Sequence, residues 1–398
     1  MRIQKHRLLM IPGPTEISYE ALLAMAQPSI VHYGDDFVQR YRHVQKCLQQ
    51  VFQTTNTVYL IPGSSSIAME AAVSAALEPG QSILIPGSGM WGERFAEMVR
   101  NHGGQVVFLA SEWCQPVLAD QVAEALDKHP EIRVMAAVHN ETSMGVTNPA
   151  AEIAKICRER EVTLILDTVT SMGGINVSTD AWELDYCLTG NHKCLEAPSG
   201  TGLIAVSERA WGKMKARKTP VPGWFLNLQN IKDYSDRWSD WHPTGPVSAP
   251  THVIAGLEVA LDRILAEGLE NRFQRHARCA RAMRAGLQSM GIELLVEENY
   301  ASNTVTAFKI PEGAKDKETR KIIEQQFDIV IAGSHHPKLV GQMLRIGHMG
   351  ITANLNCLVQ VLVALGEALR IQKVRADIGQ GVEGLLTAYN ETNLKAGQ

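Results

Sequence analysis

The sequence has no long apolar run, no internal repeat and no low-complexity tract. The apolar stretch before Pro12 is too short for a signal-peptide core or a membrane span. The closing LKAGQ is neither a peroxisomal nor an ER address. Charge of one sign is also missing: 38 Lys and Arg against 42 Asp and Glu leave a net −4. That balance gives no electrostatic case for nucleic acid or an anionic membrane as partner. Cysteine is sparse, with seven residues, an odd number at irregular spacing and without a CxxC. A disulfide framework and a zinc module are therefore excluded, and a reducing compartment fits best. Neither a Walker A motif nor GxGxxG occurs, so no nucleotide is indicated. A cytoplasmic, soluble protein is expected.

What is present is a globular composition, 45% hydrophobic and 20% charged, over 398 residues. That length suggests two or three domains with a large core. Between about residues 57 and 206, seven apolar runs alternate with helical patterns. The runs are 57–61, 82–85, 105–109, 134–138, 163–166, 186–189 and 203–206. They are rich in Val, Ile and Leu with little polar alternation, as strands covered on both faces read. The alternation predicts an α/β domain with a mostly parallel sheet. Ligands in such sheets bind beyond the carboxyl ends of strands, so the polar residues after each run are the ones to inspect.

The stretch from Lys218 to Pro250 is rich in Pro and aromatics and reads as irregular chain packed over a site or a partner subunit. A helical pattern with Val253, Leu257, Leu261, Ile264 and Leu265 on one face follows. Beyond about residue 270 the pattern becomes helix, strand, strand, helix, which predicts a second, smaller domain. The expected division is 1–270 and 271–398.

Four clusters can carry chemistry. In LIPGSSSIAMEAAVSAAL, Ser64, Ser65 and Ser66 open a helix after Gly63. They suit an anion site at a helix start or ordinary serine capping. In LILDTVTSMGG, Asp167 ends a buried strand and needs a partner there: a protonated ring nitrogen, a metal, a sugar hydroxyl or a helix start. Val169 can lie against a flat ligand. In DYCLTGNHKCLEAPSGTG, Lys193 is either solvated or, at the rim of the sheet, desolvated and nucleophilic toward a carbonyl. In MLRIGHMG, Arg345 suits capture of a carboxylate or an internal salt bridge. His348 reads as structural. A zinc set of His139, Glu141 and a cysteine lacks a tight ligand pair, so no metal is expected.

The order of these clusters is more specific than any one of them. A small-residue loop, an aromatic in GMWGER, the turn HNETSMG, the strand-end Asp167 and a Lys 26 residues later form a series. With LLMIPGPTEI near the start and RIGHMG near the end, the sequence resembles the class V aminotransferases. These are pyridoxal-phosphate enzymes of fold type I. The likeness is to the alanine or serine–glyoxylate and pyridoxamine–pyruvate branch.

The resemblance implies a seven-stranded, mostly parallel sheet in a large domain, a smaller α+β C-terminal domain and pyridoxal 5'-phosphate as cofactor. It implies a Lys193 Schiff base to the cofactor and Asp167 on the pyridine nitrogen. Trp91 would stack on the ring, with Val169 on its other face. Ser64, Ser65, Ser66 and His192 would surround the phosphate, with Thr244 arriving from the other subunit of a homodimer. Thr142 or Ser143 would approach the phenolic oxygen, and Arg345 would clamp the substrate carboxylate beside the Gly13 loop. The implied reaction moves an amino group from a small amino acid such as alanine or serine to glyoxylate or pyruvate. Pyridoxamine–pyruvate transamination is the alternative. An acidic residue near Ser64 and a second arginine near His336, which would mark that alternative, are absent.

Overall fold

The structure, a computed structural model, describes residues 5–334 and 336–395. Its centre is a seven-stranded sheet: β1 (Val58–Gly63), β2 (Ser82–Gly87), β3 (Gln105–Ala110), β4 (Val134–Val138), β5 (Thr163–Asp167), β6 (Tyr186–Gly190) and β7 (Gly200–Val206). The spatial order is β1-β7-β6-β5-β4-β2-β3. All neighbours are parallel except β7, which is antiparallel to both β1 and β6.

The missing polar alternation has a direct cause. Val58 and Leu60 enter one core layer, beneath helices Asp35–Phe52, Ala150–Glu159 and Thr251–Glu267. Tyr59 and Ile61 enter the opposite layer with helices Ser65–Ala76 and Met90–Asn101. Leu164 and Leu166 against Ile165 divide in the same way. Both faces of a strand are therefore apolar, as in a sheet packed between helices.

The structure corrects two details. The run at 105–109 is the edge strand β3, with Phe108 exposed rather than covered. Its composition matches that of an inner strand, so residue type alone did not separate the two. The segment 218–250 is not wholly irregular, because Leu228–Arg237 is helical. Asn227 caps that helix, its side chain accepting from the N–H groups of Gln229 and Asn230.

After helix Leu269–Ser289 comes a three-stranded antiparallel sheet of Val305–Lys309, Met343–Gly347 and Ala332–Gly333. Helices Asp316–Phe327, Leu355–Ile371 and Ile378–Lys395 pack with it around Phe308, Ile323, Leu344, Leu362 and Leu365. The N-terminal strand Leu8–Leu9 joins this C-terminal layer, pairing in parallel with Ile329–Val330. Among the described residues, no helix is long and apolar enough to cross a membrane.

Candidate active site

The carboxyl ends of β1, β2, β4, β5 and β6 lie at the same edge of the sheet. Asp167 is the last residue of β5, and its side chain is 3% exposed. One carboxylate oxygen accepts the Val169 N–H at 2.7 Å. Burial raises the Asp167 pKa to about 7; the nearby Glu141 charge adds to this, while the Val169 N–H and Lys193 oppose it. A cation brought beside this carboxyl would restore its charge.

Lys193 lies three residues beyond β6, in a loop held from both sides. Thr15 Oγ1 donates to the Lys193 carbonyl at 2.8 Å, and the Thr15 N–H to the His192 carbonyl. From helix Leu269–Ser289, the buried Arg272 donates to the carbonyls of Gly173 and Cys194 and to the Glu196 carboxylate. The amine itself donates to the Pro12 carbonyl at 2.5 Å. Gly13 closes over it so tightly that a Cβ there would sit 2.3 Å from Nζ. Gly13 also has φ +109°, so both space and backbone require glycine. Burial lowers the lysine pKa to about 8, and the Arg345 charge lowers it further against the pull of Cys194 and Asp167. Nζ is thus a partly neutral, nucleophilic amine near neutral pH. Cys194, next in sequence, is buried and its thiol points to the Thr170 carbonyl.

The serine loop opens the helix Ser65–Ala76 from the end of β1. Ser64 occupies the N-cap position without a side-chain cap bond. The hydroxyls of Ser64, Ser65 and Ser66 have no hydrogen-bond partner among the described residues. Ordinary capping therefore does not account for them. Gly190 brings His192 to the same spot, since a Cβ on Gly190 would meet Ser65 Cβ at 2.8 Å and His192 Cε1 at 3.2 Å. The His192 Nδ1 is buried and unpartnered. Its ring stays neutral, because burial lowers its pKa to about 4 with help from Lys193. A helix start with free N–H groups, three hydroxyls and an orphan ring nitrogen makes an anion cradle.

Glu141 organises the opposite wall. It is fully buried and accepts from Ser143 N at 2.9 Å, Ser143 Oγ at 2.6 Å and Trp91 N at 3.1 Å. Ser143 Oγ in turn accepts from the Met90 N–H. One carboxylate thereby fixes the start of the Trp91 helix and the Ser143 turn. Burial raises the Glu141 pKa against these bonds and the Arg345 charge. Thr142 Oγ1 donates to Thr170 Oγ1 at 2.9 Å, tying this turn to the loop after β5. Arg345, on Met343–Gly347, is buried and donates through Nη1 to the Thr142 carbonyl at 2.6 Å. Nε and Nη2 donate to the Gly333 carbonyl at 3.2 and 2.6 Å. Burial lowers its pKa to about 10 while Glu141 raises it, so it remains charged at neutral pH.

Gly13 contacts Lys193, whose charge is felt by Asp167 and Arg345, and both of these in turn interact with Glu141. Ser65 and His192 adjoin them through Gly190, while Val169 binds the Asp167 carboxylate. Thr244 lies elsewhere, beside His242 with Oγ1 3.5 Å from its Nε2. His139 is held by Ser171 Oγ at 2.9 Å and His348 by Thr306 Oγ1 at 2.8 Å. The sequence offered Glu141 only as a zinc ligand beside His139, not as the carboxylate that fixes the Trp91 and Ser143 backbone, and it did not mark Arg272 at all. A carboxylate three residues past the buried run 134–138 was the available signal for Glu141. Nothing local marked Arg272.

The unbonded hydroxyls, the orphan His192 nitrogen, the buried carboxyl and the nucleophilic amine fit pyridoxal 5'-phosphate: an anion, a basic ring nitrogen and an aldehyde. The comparisons with known proteins agree. The class-V aminotransferase family model matches residues 15–358. An uncharacterized aminotransferase of Methanocaldococcus jannaschii is 41% identical over 366 residues, 90% of this chain and 94% of the relative. The pyridoxamine–pyruvate transaminase of Mesorhizobium japonicum is 31% identical, covering 98% of this chain and 99% of its own. The crystal structure of the ureidoglycine–glyoxylate aminotransferase from Bacillus subtilis superposes with a TM-score of 0.92 at 30% identity, over 98% of this chain and 99% of the other. The chain belongs to the class V aminotransferases and is a pyridoxal-phosphate-dependent transaminase of fold type I.

Proposed function

We propose that this transaminase moves an amino group from a small amino acid to glyoxylate or pyruvate. The observation that carries the proposal is the buried Lys193 amine held against Pro12 and Gly13, with the charges of Asp167 and Arg345 both acting on it. An amine there can reach a carbon whose carboxylate is held by Arg345. When bound, pyridoxal phosphate supplies an aldehyde carbon and an electron-accepting ring.

Each residue has a role in this reading. Lys193 would hold the cofactor through its amine and would carry the proton at the substrate Cα. Asp167 keeps the ring nitrogen protonated. Trp91 and Val169 enclose the ring. Ser64, Ser65, Ser66 and His192 bind the phosphate, and Thr142 or Ser143 approaches the phenolic oxygen. Arg345 has used three of its five N–H groups on two carbonyls. One N–H remains on each terminal nitrogen, which matches the two oxygens of a carboxylate.

The proposal includes a homodimer with shared active sites. Tyr33 stacks on Trp241 at 5.0 Å, and Trp238 lies 5.9 Å from Trp241, all three at least 42% exposed. An aromatic patch of this kind suits a partner surface. Thr244 follows three residues after Trp241, and a second copy seated here would bring it toward the other subunit's phosphate cradle. The chain would divide near residue 270 into a large and a small domain, with the N-terminal segment lining the site between them. Seven free cysteines support a cytoplasmic location.

The alternative donor is pyridoxamine, supported by the likeness to the Mesorhizobium transaminase, which covers nearly all of both chains. The hydroxyl-rich cradle supports the amino-acid reading, because pyridoxamine has no phosphate to fill it. A half-reaction screen decides. Loss of the bound cofactor's visible band on adding alanine, serine or aspartate names the donor. Turnover of pyridoxamine with pyruvate in protein stripped of phosphate cofactor would overturn the amino-acid reading.

A further inference from the structure

Away from the active site, helices Asp35–Phe52 and Thr251–Glu267 pack side by side. His43 and Cys47 are four residues apart on the first helix and so share a face. Asp262 meets them from the second. His43 Nε2 lies 2.8 Å from Asp262 Oδ1. Cys47 Sγ lies 3.6 Å from His43 Nε2 and 3.7 Å from Asp262 Oδ1. Among the described residues, this is the one group of three or more such side chains whose donor atoms all lie within 4.8 Å of one another.

The geometry points to a divalent-metal site of the zinc class, formed by His43, Cys47 and Asp262 and stapling the two helices. Zinc bonds of about 2.3 Å to sulfur and about 2.0–2.2 Å to nitrogen or oxygen, at tetrahedral angles, fix the donor separations. They come to about 3.6 Å for sulfur to nitrogen or oxygen and about 3.4 Å for nitrogen to oxygen. Both sulfur separations already match. Only the His43–Asp262 hydrogen bond must open, by about 0.6 Å, when an ion replaces its proton.

The surroundings favour a cation. Cys47 is buried at the floor, while the His43 and Asp262 side chains are about half exposed at the rim. The ion can enter from solvent and keep a water as fourth ligand. The charges acting on the Cys47 thiol come from Asp262 and Glu258, both acidic. A thiolate and a carboxylate neutralise a divalent ion, and the mixed sulfur, nitrogen and oxygen donors suit zinc over magnesium or calcium. Binding releases the thiol proton to water, and the proton between His43 Nε2 and Asp262 moves to His43 Nδ1, so that the ring ligates as a neutral imidazole.

The test uses holoenzyme dialysed against a chelator and then equilibrated with zinc alone at micromolar free concentration. The wild type should retain one zinc per chain, and its thermal midpoint should rise with zinc. Cys47→Ser and Asp262→Asn should each weaken zinc binding by about 100-fold or more and abolish the thermal shift. Transamination by the zinc-free variants should equal that of the zinc-free wild type. Asp262 is half exposed, so its variant folds even if the buried Cys47 variant does not. No retained zinc in the wild type, or equal retention by Asp262→Asn, overturns the proposal.

Discussion

Replacing Arg345 by Lys tests the substrate clamp most directly. The arginine serves four acceptors in the proposed complex: the Gly333 and Thr142 carbonyls and two carboxylate oxygens. An ammonium has three N–H donors and no planar fork, so at least one charged hydrogen bond is lost. Such bonds contribute about 1.5–3 kcal/mol, equivalent to a rise in KM of about 10- to 150-fold. The rise should affect the amino donor and the oxo acid alike, because both present the same carboxylate. Burial, which already pulls Arg345 down to about 10, acts on a lysine whose ordinary pKa is lower. The variant should therefore lose charge as pH rises, and its KM should climb further from neutral toward alkaline pH. Steady-state kinetics with each substrate varied in turn, at several pH values, provide the measurement. Cofactor binding should be normal, since Arg345 is not assigned to it. KM values unchanged for every carboxylate substrate would refute the clamp. A normal KM for pyridoxamine beside a raised one for pyruvate would identify pyridoxamine as donor.

Lys193→Ala should abolish steady-state transamination, and in the wild-type apoenzyme the rate of covalent cofactor capture should rise through about pH 8 as the amine loses its proton; turnover near the wild-type rate would remove Lys193 from the chemistry. Asp167→Asn should keep the cofactor but slow the single-turnover rate by about tenfold or more, the equivalent of one charged hydrogen bond of about 1.5–3 kcal/mol. An unchanged rate would separate Asp167 from the ring nitrogen. Glu141→Gln turns an amide NH2 toward a buried N–H donor and should cost about 1–3 kcal/mol of stability, read by denaturant titration. A fully active monomer at nanomolar concentration in sedimentation would contradict the shared-site dimer.

The legibility of this chain in its sequence follows from what each position needed locally. Strand ends were readable because sheets packed on both faces demand uninterrupted apolar runs, and Asp167 stood out where such a run stopped. Lys193 was readable through its small-residue setting and its distance from Asp167. Helix Leu228–Arg237 was hidden because only Leu228 and Ile231 of it are buried, too few to show a period. The edge position of β3 was hidden because neighbourhood in a sheet is decided by distant segments. Glu141 and Arg272 act through bonds to residues up to 99 positions away, a relation no window along the chain contains.

Residues 8–15 form one wall of the proposed active site. Leu8 and Leu9 pair with Ile329 and Val330, the Gly347 N–H donates to the Met10 carbonyl, and Pro12 and Gly13 then rest on the Lys193 amine. Gly347 is two residues from Arg345 on the same strand. This strip touches both the strand that carries Arg345 and the Lys193 amine. Shortening the chain before Thr15 would take away the amine's hydrogen-bond acceptor and open its floor to water, with the lysine itself untouched. On the proposed roles, a truncation that removes Pro12 and Gly13 is an active-site mutation in engineering terms.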